Sequence, residues 1–572
     1  MAEGKRLRSR ADLIFEKIPP LLTFILILLP FWGGFIIPEI TAYFVILFNV
    51  YFLYKSMSFA VFFAISLIRI RHSEQIDWLG RLRELDDIDL AISTRQEQLD
   101  ALRSHKYQSK KKVDANDPLN RIISTKLPGP VRRLIFWYEK QKIAGFLRGE
   151  LRRLRDLKNT PPHTDWNSLH HVIIIPHWKE PYHVLETTLE RISKGNYPSK
   201  KISIMLGAEE RDPTGVSVSE QLREQFKDRF EHIWINSHVL TETEIVGKSS
   251  NMASAGKTAA QEIARLGWDL KHVTVTSCDA DSQLPPDYFA NVTYEYVNRK
   301  DSEYKFFNGA MILYANIWRL PFYARVKNSM STIYNVGRLV RTDKLVPFST
   351  YTTSYWLIDQ IGYWTPDITP EDFHIFFKSS FRFGGVVSTV PVFQKVMADA
   401  AEGETHLETI KNNYFQERRW SWGISDDGWV LKNLLKMILK GKISIAVLYR
   451  GLHVVMDHII GPVSSIIILF GGNIPLLVNP QFAATTTGIN LPRVSSFMIQ
   501  LTIWFLLISI LLDQYLKPER PGRQSPVKRI FGLVEWIVQP VVGFILVALP
   551  GLEAHTRLLF GRYLEYYLTK KK

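Results

Sequence analysis

The sequence predicts an α/β domain, with a mainly parallel sheet covered by helices on both faces, inserted between membrane-spanning helices. Three observations carry this. From about His170, short apolar runs alternate with helical stretches, the pattern of βαβ units. Long apolar stretches occupy both ends of the chain. Finally, a mean hydropathy of −0.05 averages those greasy ends with a polar middle. The 572 residues leave room for two or three domains.

In chain order, residues 19–37 and 40–68 are almost unbroken Leu, Ile, Phe, Val and Tyr, each near the roughly 20 residues that cross a bilayer. The turn between them falls near Gly33, Gly34 and Pro38. Lys5, Arg6, Arg8 and Arg10 precede the first stretch, but no small-residue cleavage site follows and a second apolar stretch does, so a secretory signal is set aside. Those basic residues, with Arg69 and Arg71 beyond the second stretch, place both outer ends in the cytosol. Two more spans are expected at 454–478 and 494–516, joined by a loop containing Asn479, Pro480 and Asn490; the basic run 517–529 then returns the chain to the cytosol. Pro540 divides the last apolar stretch, 530–549, into halves too short to span, which predicts a re-entrant element. The tail residues Arg557, Arg562, Lys570, Lys571 and Lys572 then lie on the cytosolic side; a fifth, kinked helix with an external tail is the competing arrangement.

Between the apolar ends, residues 73–165 are polar and helical in pattern, with charged stretches at 81–89 and Lys110 to Lys112. The segment 131–157 is basic and amphipathic, either a membrane-surface helix or a solvated face packed on its neighbours. The α/β pattern follows: HHVIIIP, KISIMLG, FEHIWINS and HVTVTSCDADS as strands, with helices at 182–194, 217–229 and 251–266. Ligands bind off the carboxyl ends of such strands, which selects 176–180, 207–210 and 278–282. The net charge of +15 gathers at membrane flanks and tails, an attraction to anionic lipid; no nucleic-acid module appears. A single cysteine, Cys278, excludes a disulfide framework and multi-cysteine metal sites. Gly247-Lys248-Ser249 and Gly256-Lys257-Thr258 mimic the end of a phosphate-binding loop, but the glycine required five positions earlier is Glu242 or Asn251. The Asn291-Val292-Thr293 sequon falls in a segment assigned to the cytosol.

The chemistry-bearing residues occur in a fixed order. Asp279 and Asp281 end a buried strand, a pair of hard oxygen donors suited to Mg²⁺ or Mn²⁺ carrying a diphosphate. Glu371 and Asp372 precede a helical stretch, where acids also simply favour the helix dipole. Gln416, Arg418, Arg419, Trp420 and Trp422 then combine cations with flat aromatic faces, a mixture also found in interfacial belts.

This order, Asp-X-Asp, Glu-Asp, Gln-X-X-Arg-Trp, inside a βαβ domain bracketed by apolar helices, resembles the membrane-embedded family 2 glycosyltransferases, the group of cellulose, chitin and hyaluronan synthases. Pro176-His177-Trp178-Lys179-Glu180 looks like that family's first-strand Pro-X-X-X-Glu signature, and Gly247 to Asn251 like its Lys-X-X-Asn element. Ser349 and Tyr351 occupy the acceptor-side position before the Glu-Asp pair. The resemblance covers about 166–430 closely and the flanks only in architecture. It implies a GT-A fold and a nucleotide-sugar donor, expected to be a UDP-sugar, lying across the strand ends among Pro176, His177, Glu180, Glu209, Lys248 and Asn251. It further implies a divalent metal on Asp279 and Asp281, Asp372 beside Glu371 as general base in an inverting transfer, Arg418 and Arg419 on the pyrophosphate, and an acceptor sugar on Gln416 and Trp420 with Ser349 and Tyr351.

Two details bear on the donor and the acceptor. Where many relatives carry an Asp-Asp pair after the second strand, this chain has MLGAEERDP, with Glu209 or Glu210 as substitute. Gln-X-X-Arg-Trp is associated with processive members, which implies a growing polysaccharide passed through the membrane; four or five spans are few for a pore and imply a second copy or an accessory export subunit. Transfer of one sugar to a membrane lipid or isoprenoid carrier is the alternative; a non-enzymatic transporter or scaffold is disfavoured because every expected catalytic position is filled. The expected division is 1–72, an N-terminal membrane hairpin; 73–165, a helical linker; 166–425, the transferase domain; 426–452, interface helices, with 429–439 amphipathic; and 453–572, the C-terminal membrane region. The resemblance places the protein in the cell membrane with its catalytic domain in the cytoplasm.

Overall fold

The computed structural model describes residues 9–104, 129–522 and 532–564. Lys5, Arg6, Arg8, the Lys110 to Lys112 run, residues 523–529 of the second basic run, the first two residues of the last apolar stretch, and Lys570, Lys571 and Lys572 lie outside the described residues. The chain divides into two compact units, one of Met1–Ile76, Leu169–Val292 and Glu303–Lys572, the other of Asp77–Ser168 and Thr293–Ser302.

The larger unit is built on seven strands: β1 (His170–His177), β2 (Ile202–Glu209), β3 (His232–His238), β4 (Val273–Ser277), β5 (Lys305–Ile312), β6 (Tyr351–Ser354) and β7 (Ser388–Met397). Their order is β3-β2-β1-β4-β6-β5-β7. β6 runs antiparallel to β4 and β5, and the remaining pairs are parallel. β1 and β2 are nearly continuous runs of β-branched and apolar residues, as strands covered on both faces require. Helices Tyr182–Ser193, Gly215–Phe226 and Lys248–Leu266 follow β1, β2 and β3 in turn. Gly267 ends the last of these at φ +71, a left-handed conformation a side chain would resist.

The sheet's core does not stop at the α/β domain. From Val172, Ile174, Val275 and Phe306 it continues through Tyr351, Trp364 and Phe376 to Val430 and Leu434 of the helix Ile424–Leu439, and on to Val455 and Ile459. A second core joins Phe63, Leu67 and Ile70 to Ile312, Tyr314, Ile333 and Val336. Each such fully buried side chain contributes about 1.5–3 kcal/mol, so the sheet and the apolar helices stabilise one another.

Among the described residues, five helices are long and apolar enough to cross a membrane: Arg10–Ile36, Pro38–Ser73, Ile445–Gly471, Thr486–Asp513 and Gly532–Leu559. Many of their large apolar residues face outward, among them Phe35, Leu47, Ile68, Trp504 and Ile537, as lipid-facing positions do. The last helix differs from the expected pair of short halves. Pro540 falls in the first turn of its segment Gln539–Gly543, where no intrahelical N–H bond is lost, and a π-helical turn, Phe544–Ala548, carries the run on to Leu549–Leu559. A continuous helical stretch of 28 residues results.

The smaller unit is helical. Ile88–Ser104 packs on Gly129–Asn159 through Leu99, Leu147 and Leu151. Arg153 reaches Glu84 and Glu150 and donates to Tyr294 Oη at 3.0 Å, so the unit includes a segment far along the chain from the predicted linker. Of the amphipathic segment, Leu147, Leu151 and Leu154 are buried, whereas Leu134, Trp137 and Tyr138 are exposed. Its C-terminal half is therefore a packed face.

Candidate active site

Register explains how residues distant in sequence meet. Ser277, the last residue of β4, pairs with Tyr351, the first of β6, because β6 is reversed. The segment leaving β4, with Cys278, Asp279 and Asp281, therefore meets the segment entering β6, with Ser349 and Thr350. The first turn of the helix Glu371–Phe383 closes on the same point.

Lys248 stands at the centre. It opens the helix Lys248–Leu266 after Gly247, whose φ of 154 is open to glycine alone. A cation at a helix N-terminus is unfavourable by itself; here its Nζ lies 2.7 Å from Asp279 Oδ1 and 2.9 Å from Glu371 Oε1, and donates to the Ser349 carbonyl at 3.1 Å. Burial alone would lower the pKa of Lys248, but Asp279 and Glu371 outweigh it and hold the amine above its ordinary range. Glu371 is 4% exposed and also accepts from Tyr351 Oη at 2.8 Å and Ser277 Oγ at 3.3 Å. Burial pushes its carboxyl upward, against the pull of Lys248. Trp364 Nε1 donates to Tyr351 Oη at 2.8 Å, which holds the phenol in place.

Ser349 has a φ of +58, uncommon for a residue other than glycine and worth about 1–3 kcal/mol of strain. All its polar groups are committed: Oγ donates to Asp279 Oδ2 at 2.6 Å, N donates to Asp372 Oδ2 at 3.1 Å, and the carbonyl takes Lys248. Asp372 is only half-buried. The side chain of Asp279 is 28% exposed, while Asp281 is buried and accepts from Asp399 N at 3.2 Å.

Lys248, Asp279, Ser349, Tyr351, Glu371 and Asp372 thus share one hydrogen-bonded network. Others predicted for the site hold the surrounding loops. Glu180 accepts from Trp178 N. His177 is buried, with Nε2 2.8 Å from Ser219 Oγ, and burial depresses its imidazole to about 4. Pro176 lies beside Gly207 in the β1–β2 register. Asn251 Nδ2 donates to the Gly207 carbonyl at 2.8 Å; a Cβ on Gly207 would lie 2.3 Å from Asn251 Oδ1. Glu209 is buried against Arg211. In the helix His406–Ser421, Arg418 pairs with Glu553 at 2.6 Å, Arg419 is half-buried, Gln416 is buried with its Oε1 unpartnered, and Trp420 is 38% exposed with Lys327 Nζ 4.2 Å from its ring.

Sequence reasoning missed four residues that hold this site: Ser277, Thr350, Trp364 and Asp212. Thr350 Oγ1 accepts from Asp279 N at 3.3 Å and lies 2.8 Å from Ser282 Oγ. Asp212 accepts from Lys179 N at 2.8 Å, where Lys179 has a φ of 63. The RDPTG segment, an Asp-Pro turn directly after β2, carried a readable signal for Asp212; the other three become visible only through the β4–β6 register.

As a metal site, Asp279 and Asp281 offer hard carboxylate oxygens two residues apart. Among the described residues no group of three or more His, Cys, Asp or Glu converges on one point. That donor set fits Mg²⁺ or Mn²⁺, which keep several ligands from phosphate and water. Cys278 is buried and its thiol pushed up by burial, so it is inert.

The fold and site define a mixed α/β protein with a lysine–carboxylate site at its strand ends and five apolar helices in the same chain. No protein-family model matches the chain, and no curated protein matches its sequence. Among solved structures it is similar to a mannosyltransferase, PcManGT from Pyrobaculum calidifontis, in complex with GDP-Man and Mn²⁺, at 13% identity over 72% of this chain and 94% of that one, with a TM-score of 0.38. It is also similar to S. aureus TarS 1-349 in complex with UDP-GlcNAc, at 13% identity over 58% and 92%, TM-score 0.30, and to GalNAc-T7 with UDP, GalNAc and Mn²⁺, at 11% identity over 44% and 51%, TM-score 0.27. These scores are too low to carry fold or function across.

Proposed function

We propose that this chain is an inverting GT-A glycosyltransferase of the membrane-embedded family 2 type, moving a sugar from a nucleotide-sugar donor to a growing polysaccharide at the cytoplasmic face of the cell membrane. The observation that carries the reading is the single network of Lys248, Asp279, Ser349, Glu371 and Asp372 at the strand ends. It joins the Asp-X-Asp, Lys-X-X-Asn and Glu-Asp elements of the sequence resemblance.

The residues divide the work. Asp279 and Asp281 would hold a Mg²⁺ or Mn²⁺ ion, which when bound supplies positive charge for the leaving diphosphate. Glu371 is spent on Lys248 and Tyr351, so its role is to fix them. Asp372, half-buried and oriented by Ser349 N, is the base: its carboxylate takes the acceptor hydroxyl proton as that oxygen bonds to the anomeric carbon. The bond from that carbon to the diphosphate oxygen breaks with its electron pair, releasing the nucleoside diphosphate. Arg419, with Arg418, would meet the pyrophosphate; Arg418 does so only on leaving Glu553. Trp420 offers its exposed face to an acceptor sugar. Transfer of one sugar to a lipid carrier uses the same residues and differs only in product.

The test is incubation of the detergent-purified chain with Mn²⁺ or Mg²⁺ and radiolabelled UDP- and GDP-sugars, with products separated by size and by solvent extraction. A high-molecular-weight product sensitive to a specific glycanase supports the polymer reading, and a small extractable product supports the lipid reading. Failure to turn over any sugar nucleotide would sink both.

A further inference from the structure

A second set of paired ionisable groups lies on the far side of the same catalytic turn. Asp426 and Asp427 sit side by side in the first turn of the helix Ile424–Leu439, where the helix dipole favours negative charge. Both are buried, and they point to different helices. Asp426 Oδ2 is 2.7 Å from Nδ1 of His374, two residues beyond Asp372 on the catalytic helix. The His374 ring also stacks on Trp429, with centroids 4.2 Å apart. Asp427 takes His458, with its two carboxylate oxygens 2.9 and 3.1 Å from Nδ1; His458 belongs to the third apolar helix. The His458 ring packs against Phe373 at 5.7 Å, the residue that follows Asp372. It also fills the space over Gly423, where a Cβ would lie 3.2 Å from it.

The same apolar helix continues the chain of pairs: Asp457, adjacent to His458, lies 3.0 Å from Lys55 of the second apolar helix and 3.2 Å from His453. Paired ionisable groups therefore connect two candidate spans to the turn that carries the base. Charges in such places are costly and persist where they do something.

Resting on the glycosyltransferase reading, we propose that Asp426 and Asp427 form a positioning fork that holds the Asp372 turn against the third apolar helix. An acceptor arriving along the membrane side then meets the base in one fixed geometry. Its charged partners are His374 and His458. Loosening it misplaces Asp372 relative to a large acceptor while leaving the nucleotide sugar bound. A displacement of about 1 Å is enough to cost about a hundredfold in rate, and water, small and freely oriented, tolerates it better than a sugar hydroxyl does.

The fork is tested on the full-length chain in detergent, with nucleoside diphosphate release and labelled sugar incorporation measured together. Asp426→Asn and Asp427→Asn preserve shape and remove the charge; His374→Gln and His458→Gln approach the same pairs from the other side, so a misfolded variant on one side does not decide the outcome. The expected result is a fall of roughly 10- to 100-fold in kcat for sugar transfer. Donor KM should hold within about twofold and the share of donor lost to hydrolysis should rise. Asp427→Asn combined with His458→Gln should lose little more than either alone, as coupled pairs do. Lys432→Met, on the same helix as the fork, removes a pair with Asp12 of the helix Arg10–Ile36 and should leave the partition unchanged. Transfer and hydrolysis falling in equal proportion, or a partition unmoved in all four variants, would overturn the fork while leaving the glycosyltransferase reading intact. No turnover by the unaltered chain would overturn both.

Discussion

Two clusters of paired ionisable groups grip opposite sides of one helical turn, Glu371 to His374, and they are built differently. Around Lys248 one cation is shared between two carboxylates, and a third carboxylate, Asp372, is held only by backbone N–H groups and remains half-buried. In the Asp426–Asp427 pairs each carboxylate has its own imidazole and both are buried. A site must keep one group accessible so that a substrate can complete it; a joint keeps its charged pairs inside the fold.

The widest break between the clusters should come from Asp372→Asn. Transfer should fall by about 10³-fold or more, on the scale of losing a general base together with its orientation, while the thermal midpoint barely moves, because only backbone N–H groups lose a charged acceptor. Steady-state kinetics alongside differential scanning fluorimetry checks this, and a midpoint collapse would assign Asp372 to the scaffold.

Lys248→Met should reverse the balance between stability and activity. It leaves Asp279 and Glu371 facing each other without their cation, and breaking a buried pair costs about 3–5 kcal/mol. Adding Glu371→Gln should return part of that stability without returning activity, measurable by chemical denaturation in detergent.

A smaller effect concerns acid. His171 and His177 on β1 are held neutral because burial disfavours the charged ring, depressing them from 6.5 to about 3 and about 4. In the unfolded chain both titrate near 6.5. Their contribution is therefore intact above that pH and is lost as pH falls toward 4 and then 3, since the unfolded state takes up protons first. His177→Gln should flatten the upper part of this fall, by on the order of 3 kcal/mol in total; an unchanged stability–pH curve would place the acid response elsewhere.

The smallest expected effect is at the end of the helix His406–Ser421. Arg418→Met removes the partly exposed pair with Glu553 and should cost about 1 kcal/mol or less, so a large loss of donor affinity with little loss of stability would show Arg418 working on the diphosphate instead.

Much of this was legible in the sequence, and for identifiable reasons. β1 to β4 could be read because strands buried on both faces are continuous apolar runs, and Asp279 and Asp281 because they end one. β6 was not, since a four-residue YTTS strand followed directly by YWLIDQ carries no period of its own; its reversal, which brings Ser277 to Tyr351, is a property of pairing. The apolar helices could be counted by composition, yet Pro540 misled because a proline inside a sequence run and a proline in the first turn of a helical segment look alike until the backbone is seen. Asp426 and Asp427 open the helix Ile424–Leu439, and nothing in their spacing names His374 or His458 as partners.

The unbroken core from the sheet into Ile424–Leu439 and the third apolar helix has a practical corollary for anyone wishing to cut the chain. Truncation before Trp429 would remove the ring that packs on His374 and Phe381 and leave that side of the helix Glu371–Phe383 facing solvent along a seam meant for another helix. Such a fragment would be expected to aggregate rather than dissolve, and the shortest self-sufficient piece of this chain would already carry membrane-seeking surface.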